Sequence, residues 1–534
     1  MLIFPVGISL GKWLFFSLNQ AVNDTSLLSV QTKNIRFIDV KGINMIQKKK
    51  RLASAFMAVL AFVSAILIGC QSGDKPNPNT SNVIESNSTG TSDKLIANIP
   101  DDVDMKGQTF TVMSASWYGY DPLSVVDIFP ESDSEEAWES KAYFRAIKVQ
   151  EQLKCNIVHN EAASLDDFIA RLQQDSVVEK VNDVVMIRGT HLLTAIMADY
   201  LTDLGDLEYA DYSAPWWGEK SNEQMKISGK LYAAYGDVSL NSLMAAQITI
   251  YNKEMMQDLK LGSMYEIVKS GAWTVDKMFD MAKSVTNDVD MSGDVTLGDR
   301  VGATYFADGF VPLLNCAGVQ TVSLDNDGMP RMSANDEKMI TRIQKITEMM
   351  NDTRYIAEVL RQKPDLNGRW NDGEVLFHLT ATHQSNSIRD CEIDVGIAPL
   401  PKYSENEEYA GSVQSNYVSF VAVPSSNTDF KNTGIFLELM AYLGYTDVRP
   451  EFYERMLLRK TARDDESAEL LDMIYTGMVF DLGAIYGFGD VSGALWNLVA
   501  YPAEQAGVVS TLAGIESQVT ESINAFIQKI KSGN

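Results

Sequence analysis

The stretch Asp183-Val184-Val185-Met186-Ile187 is a short, near-continuous apolar run. Such a run is typical of a strand that is buried on both faces of a parallel sheet. Upstream of it, residues 108–114 alternate as a strand does, residues 140–153 have helical spacing, and residues 156–159 form another short strand. Residues 164–167 form a capping box that opens a second helix. Strand, helix, strand, helix, strand is a βαβαβ unit, so the sequence predicts an α/β fold with a parallel sheet.

Several short motifs after this unit follow one another in a recognisable order. They are Gly229-Lys230-Leu231-Tyr232-Ala233, Ile250-Tyr251-Asn252-Lys253, Trp273-Thr274-Val275-Asp276, Asn371-Asp372-Gly373-Glu374, Gly396-Ile397-Ala398-Pro399-Leu400-Pro401 and Tyr417-Val418-Ser419-Phe420-Val421. Each motif is weak alone, but over residues 107–445 their shared order is similar to that of the bacterial extracellular solute-binding proteins of sugar-type ABC importers, family 1.

The resemblance implies a two-lobe fold of the periplasmic-binding-protein type II, with strands that cross between the lobes. We place the first crossing near residues 247–251 and the return near residues 399–412. The N-terminal lobe is then expected to comprise residues 105–247 and 412–446. The C-terminal lobe is expected to comprise residues 248–411 and 447–534.

The N-terminal region contains a basic cluster, an apolar run and a lone cysteine. Lys48 to Arg51 are all basic, residues 52–68 are mainly apolar, and Leu67-Ile68-Gly69-Cys70 ends the run. This order is typical of a secretory signal rather than a spanning helix, and its ending resembles a bacterial lipobox, which implies that Cys70 is lipidated. We therefore interpret residues 1–44 as a mis-assigned extension ahead of Met45, and residues 45–69 as the signal peptide. Residues 70–104 would be the lipidated cysteine and a polar, flexible linker.

Composition limits the classes of partner. The part after residue 69 is longer than a single core usually spans, which favours two lobes. The formal net charge of −26 gives no electrostatic basis for binding nucleic acid or an anionic membrane surface. Attachment to the membrane would rest on the lipid alone. We expect a monomer on the extracellular face of the cell membrane.

One acidic segment, residues 288–299, has the spacing of a twelve-residue calcium loop. Gly293 stands at the sharp-turn position 6, and apolar Val295 stands at position 8. Ca²⁺ prefers six to eight oxygen ligands, which a loop of this pattern supplies. The final acid is Asp rather than Glu, which resembles dockerin-type loops. We predict a structural Ca²⁺ insertion in the second lobe, while an acidic surface turn remains the alternative. The predicted ligands are Asp288, Asp290, Ser292, Asp294 (through its carbonyl), Thr296 and Asp299.

A ligand of a two-lobe α/β protein lies in the cleft beyond the carboxyl ends of the strands. Sugars present apolar ring faces and a rim of hydroxyls, so aromatic rings and polar side chains together are the expected contacts. The residues that follow the predicted strands, or that come from the facing lobe, are therefore candidates. They are Trp117, Tyr118, Tyr120, Arg188, His191, Tyr235, Asp237, Trp370 and Asn371.

The sequence thus favours a lipid-tethered receptor that captures a mono- or oligosaccharide and delivers it to the permease of an ABC importer. No covalent chemistry is required of such a receptor, so we do not expect an enzyme. Two alternatives stay open: a surface hydrolase of the glycosidase kind, and an adhesion or scaffold lipoprotein. Outside residues 1–44, where Gly7-Ile8-Ser9-Leu10-Gly11 has the GxSxG spacing, the sequence contains no GxSxG elbow, and it contains no phosphate-binding loop, which disfavours the hydrolase.

Overall fold

The computed structural model describes residues 96–115, 128, 130, 132–177, 180–384, 393–457 and 465–532. Its strands are β1 (Thr109–Ala115), β2 (Asn156–Ala162), β3 (Val184–Arg188), β4 (Gln247–Asn252), β5 (Val301–Tyr305), β6 (Val322–Leu324), β7 (Pro330–Met332), β8 (Ile356–Glu358), β9 (Val375–Ala381), β10 (Val395–Ala398) and β11 (Ser419–Ala422).

The α-helices are α1 (Ala137–Leu153), α2 (Leu165–Val177), α3 (Gly189–Met197), α4 (Glu219–Met225), α5 (Leu240–Met244), α6 (Lys253–Asp258), α7 (Met264–Lys269), α8 (Val275–Val285), α9 (Phe310–Cys316), α10 (Glu337–Met350), α11 (Phe430–Leu443), α12 (Arg449–Leu457), α13 (Asp465–Thr476), α14 (Leu482–Tyr486), α15 (Val491–Ala500) and α16 (Val508–Ser532). Within the described ranges, no helix has both the length and the apolar content needed to cross a bilayer.

The first lobe contains a four-stranded sheet in the order β11-β3-β1-β2. Strand β1 runs parallel to β2 and β3, and β11 pairs antiparallel with β3. The predicted βαβαβ unit is therefore confirmed. The cap forms at Ser164, because the Asp167 amide donates to Ser164 Oγ at 3.1 Å, while the reciprocal bond to Asp167 Oδ2, at 2.9 Å, comes from the Ala163 amide rather than from that of Ser164.

The second lobe contains a five-stranded sheet in the order β10-β4-β9-β5-β8. Strands β8 and β9 run parallel to β5, whereas β4 pairs antiparallel with both β9 and β10. A mixed sheet with helices on its faces is consistent with the predicted α/β fold class. Strands β6 and β7 form a separate two-stranded sheet.

Two chain segments run between the sheets side by side. Ala246 and Val413 form an antiparallel bridge, and the Gln247 amide donates to the Ser412 carbonyl at 2.9 Å. The outgoing segment therefore meets the returning one at the start of β4 in the second sheet. The C-terminal part of the chain joins them, because Gly411 bridges Met478 in a parallel arrangement. We name these three paired pieces, residues 245–247, 411–414 and 477–479, the hinge.

The region after the return segment does not all lie with the second lobe. Helix α12 packs on α1, with the Phe452 ring 5.4 Å from the Trp138 ring in an edge-on arrangement. Residues 449–457 thus pack on the first lobe, whereas the sequence placed everything after residue 446 in the second. Further along, α14 packs on α3 of the first lobe and α15 on α9 of the second. The C-terminal helices therefore contact both lobes.

Two helical glycines have opposite surroundings, which yields a stability prediction. A Cβ at Gly434 in α11 would overlap the carbonyl oxygen of Glu208, whereas a Cβ at Gly514 in α16 would meet nothing within 4 Å. Gly434→Ala should destabilise the fold by about 1–3 kcal/mol through overpacking. Gly514→Ala should stabilise it by about 0.5–1 kcal/mol, because alanine loses less conformational entropy in a helix. Thermal unfolding of both variants checks this, and equal shifts would contradict it.

Candidate functional site

Two adjoining cavities lie beside the hinge, where elements of both lobes meet. The first has a volume of about 360 Å³ and includes Gln247, Phe306, Leu360, Thr380, His383 and Tyr417 in its lining. The second has a volume of about 270 Å³ and includes Thr190, Val311, Ser415, Asp490, Ser492 and Trp496. Asp308 and Gln414 line both. Together they form the candidate site, which we call the cleft.

Asp308 is the central polar group of the cleft. It lies in the turn Ala307–Gly309 that follows β5, so the sheet delivers it at the carboxyl end of a strand. The Trp496 indole Nε1–H donates to Asp308 Oδ1 at 2.7 Å. The Tyr417 hydroxyl donates to Oδ2 at 3.5 Å, a long contact that comes from the return segment. One carboxylate thus receives hydrogen bonds from two distant parts of the chain.

Aromatic rings surround this carboxylate. The Arg361 guanidinium lies 4.4 Å from the centroid of the Trp496 ring, a cation–π geometry that holds the indole in place. His383, in the turn after β9, packs against Tyr417 with ring centroids 5.7 Å apart. Burial lowers the pKa of His383 to about 4, although nearby Asp308 opposes the shift. His383 is therefore neutral at physiological pH and acts as a polar ring rather than a cation.

Two hydroxyl groups in the cleft lining have unused hydrogen-bonding capacity. Thr380 is only 2% exposed, and its Oγ1 is buried without a hydrogen-bond partner in the described structure. The same holds for Oγ of Ser492. A buried hydroxyl without a partner costs free energy.

The three aromatic residues that follow β1 in the sequence, Trp117, Tyr118 and Tyr120, lie outside the described residues. Their contact with a ligand stays a prediction. Arg188 ends β3 opposite Ser419 and is buried. His191 lies on α3 with Nδ1 3.0 Å from the Thr190 hydroxyl, so it is close to a residue of the cleft lining. Burial, followed by the charge of Arg188, lowers the pKa of His191.

Tyr235 and Asp237 were predicted as ligand contacts, but the structure places both inside the first lobe. Tyr235 packs edge-on against Phe480, with ring centroids 5.2 Å apart. Asp237 is 2% exposed, and its Oδ1 accepts from Arg449 Nε at 3.1 Å and from an Arg449 terminal nitrogen at 2.7 Å. Asp237 is thus one partner of a buried ion pair that fixes α12 on the first lobe. Neither residue lines the cleft cavities.

Trp370 and Asn371 lie in the turn Arg369–Asp372 of the second lobe. The Trp370 ring stacks on His378 with centroids 5.2 Å apart and an interplanar angle of 2°. Trp370 is 7% exposed, so it packs against the sheet rather than lining either cavity. Asn367, just before this turn, lines the first cavity.

Four residues that line the cleft were not among the contacts predicted from the sequence: Asp308, Tyr417, His383 and Trp496. Asp308 could have been found, because it stands three residues beyond a buried strand in the position expected of a ligand contact. Trp496 gave no such signal, because the position of its helix beside the cleft depends on packing of α15 against elements far away in the sequence, such as α9.

The predicted calcium loop closes on itself as a compact turn. Asn287 and Arg300 form an antiparallel bridge at its base, and buried Val295 anchors its middle through a 2.9 Å hydrogen bond from its amide to the Thr353 carbonyl. Carboxylate oxygens of Asp288, Asp290 and Asp299 lie within 4.8 Å of one another. Gly293 has φ of +86°, the left-handed conformation that the sharp turn requires.

The other predicted ligands of the loop take part in hydrogen bonds within it or to Thr353. Thr296 Oγ1 lies 2.9 Å from both Asp290 Oδ2 and Asp299 Oδ2 and can donate its one hydrogen to either. The Asp294 side chain accepts from Thr353 Oγ1 at 2.7 Å, and its carbonyl oxygen, the ligand that the loop pattern expects, accepts from Ser292 Oγ at 2.8 Å. Hydrogen bonds from Ser292 and Thr296 lower the pKa of Asp290. This set of oxygens fits a hard cation.

Two α/β lobes joined by paired hinge segments, with a cleft between them, define the class of two-lobe binding proteins. The chain belongs to the bacterial extracellular solute-binding proteins, because the model of that family matches residues 154–444. The sequence-based assignment is thereby confirmed. No curated protein matches the chain.

The chain is similar to solved structures of bacterial binding proteins. An extracellular solute-binding protein from Staphylococcus aureus in complex with maltose has a TM-score of 0.51, 11% identity, and covers 80% of this chain and 98% of its own. The ABC substrate-binding protein Lmo0181 from Listeria monocytogenes, in complex with cycloalternan, has a TM-score of 0.48 and 13% identity, and covers 78% and 99%. The first likeness supports the two-lobe fold.

Proposed function

We propose that this protein captures a carbohydrate in the cleft by closing its two lobes, and that it delivers the sugar to the permease of an ABC importer. The observation that carries the proposal is the cleft itself, in which a carboxylate held by Trp496 and Tyr417 lies beside the hinge. The staphylococcal protein of the same fold was solved with maltose, which makes maltose a rational first probe.

The lining of the cleft has the chemistry that sugars need. Phe306, Tyr417 and Trp496 offer ring faces, and Gln247, Asp308 and Gln414 offer hydrogen-bonding groups. Apolar sugar faces pack on aromatic rings, while hydroxyls bind polar side chains. The first cavity, at about 360 Å³, lies within the range of about 300–1,000 Å³ that small-molecule sites span.

Hinge closure needs no covalent chemistry. A ligand favours the closed form only by its better contacts there. Gln247 and Gln414 belong to the hinge segments and also line the cleft. The affinity for a sugar that contacts both residues would therefore depend directly on the angle between the lobes.

The ligand prediction concerns Trp496. Maltose at about 100-fold its Kd should raise the stability of the wild-type protein by about 2.7 kcal/mol. Trp496→Ala should weaken maltose binding about 30-fold or more, the cost of removing a buried aromatic anchor. Calorimetric titration measures the affinities, and Phe144→Ala, an exposed ring on α1, is the control.

The same experiment separates the receptor from the alternative enzyme. Release of glucose from maltose would support a glycosidase and contradict the receptor. Failure of every tested mono- and oligosaccharide to shift the melting temperature would contradict carbohydrate as the ligand.

We also propose that the loop at residues 288–299 binds Ca²⁺ as a structural clamp of the second lobe. The convergence of Asp288, Asp290 and Asp299 supports this, and the loop is remote in sequence from the hinge. The ion would neutralise three carboxylates that otherwise repel one another.

Removal of calcium should therefore lower thermal stability. After treatment with a chelator, added CaCl₂ should raise the melting temperature of the wild-type protein, since a ligand specific to the folded state stabilises it. Asp290→Asn should lose most of this rise. Asp325→Asn, a change in another acidic turn whose carboxylate also accepts backbone amides, should keep it. An equal rise in Asp290→Asn, or none in the wild type, would refute the site.

Finally, we propose that the protein is anchored to the membrane through lipid on Cys70. Support comes from the basic, apolar and lipobox order of residues 48–70, a region that lies outside the described structure. The several acyl chains of a bacterial lipoprotein give lasting attachment, which a single chain does not.

Cys70→Ala should release the protein from the membrane fraction into the medium or the soluble fraction, because no acyl chain would remain. Immunoblots of fractionated cells measure this, with Ser72→Ala as the control. A Cys70→Ala protein that stayed in the membrane fraction would show that another element anchors it.

A further inference from the structure

The described lining of the cleft carries negative charge and no balancing cation. Asp308 and Asp490 are its carboxylates, and no Lys or Arg occurs among the described residues that line the two cavities. The groups that hold Asp308, the Trp496 indole and the Tyr417 hydroxyl, are both neutral donors. Among the described residues, dipoles therefore solvate the charge of Asp308, and no ion pair cancels it.

Two arginines of the elements around the cleft have other roles. Arg361 covers the Trp496 ring and lies 3.7 Å from a carboxylate oxygen of Glu358, so that pair is balanced locally. Arg188 is buried at the end of β3 and lines neither cavity. Within the described part of the cleft, an incoming anion would face carboxylates without a compensating positive group.

Asp308 retains capacity to accept hydrogen bonds. An ionised carboxylate has about four lone-pair sites, and two are engaged by Trp496 and Tyr417. The remaining sites can accept only from donors, which sugar hydroxyls supply. A phosphate or a uronate carboxylate offers no donor when ionised and adds a like charge, and such like-charge contacts cost several kcal/mol.

We propose that Asp308 is a specificity-determining residue, and that the cleft admits uncharged polyhydroxyl ligands while rejecting their anionic counterparts. This inference rests on the proposed carbohydrate function. We call this discrimination against anionic ligands the charge rule. Neither the fold nor the family requires it.

The test compares matched neutral and anionic ligands by calorimetric titration. The pairs are glucose with glucuronate, and maltose with maltose 1-phosphate. In the wild-type protein, the anionic member of each pair should bind at least about tenfold more weakly than the neutral one. High salt should narrow the gap, because it screens repulsion between charges.

Asp308→Asn removes the charge but keeps the shape and an oxygen that can accept from Trp496. It should reduce the ratio of neutral to anionic affinity at least about threefold, since one like charge is lost. Asp258→Asn removes an exposed carboxylate at the end of α6 and should leave the ratio unchanged. Melting curves of both variants establish that each is folded.

The outcomes are separable. An anionic ligand that binds the wild-type protein as tightly as its neutral partner overturns the charge rule while leaving the carbohydrate function intact. An unchanged ratio in Asp308→Asn overturns the role of that residue. If neither member of either pair binds, the carbohydrate proposal fails for these sugars, and the charge rule falls with it.

Discussion

The antiparallel contact between the outgoing and returning segments is the constraint on which the rest of the structure depends. Ala246 bridges Val413, and the Gln247 amide bonds the Ser412 carbonyl at 2.9 Å. A pair of strands this short fixes where the lobes meet but not the angle between them, so it permits rotation. The cleft forms at this point because the residues that flank the bridge, Gln247 and Gln414, line it.

The cleft is assembled from strand ends in a way that parallel sheets impose. Parallel β5 and β9 deliver Asp308 and His383 to the same edge of the second sheet. The return segment brings Tyr417 to that edge just before β11 enters the first sheet. A contact such as Tyr417 to Asp308, at 3.5 Å, is weak in itself and can exchange for a ligand hydroxyl at little cost.

The sequence predicts features that depend on residues close together in the chain, and it does not predict those that depend on residues far apart. The βαβαβ unit rests on local periodicity and a local cap, so the prediction succeeded nearly to the residue. The position of α12 depends on Arg449 finding Asp237, 212 residues away in the chain, and no local pattern encodes such a pair. For the same reason Asp237 was predicted as a ligand contact. A polar residue after a hairpin can contact a ligand or form a structural ion pair, and the sequence alone does not identify its partner.

Three carboxylates of this acidic chain show how partners decide the role of one chemical group. Asp237 is paired with Arg449 and is structural. Glu438 accepts from the indoles of Trp216 and Trp217 at 3.1 and 2.8 Å inside the first lobe, and burial raises its pKa. Asp308 also accepts from an indole, but its second donor is long and its surroundings are open to the cleft. The remaining lone pairs of Asp308 can accept hydrogen bonds from solvent or from a bound molecule, and in the receptor that we propose the donors are the hydroxyls of a neutral sugar.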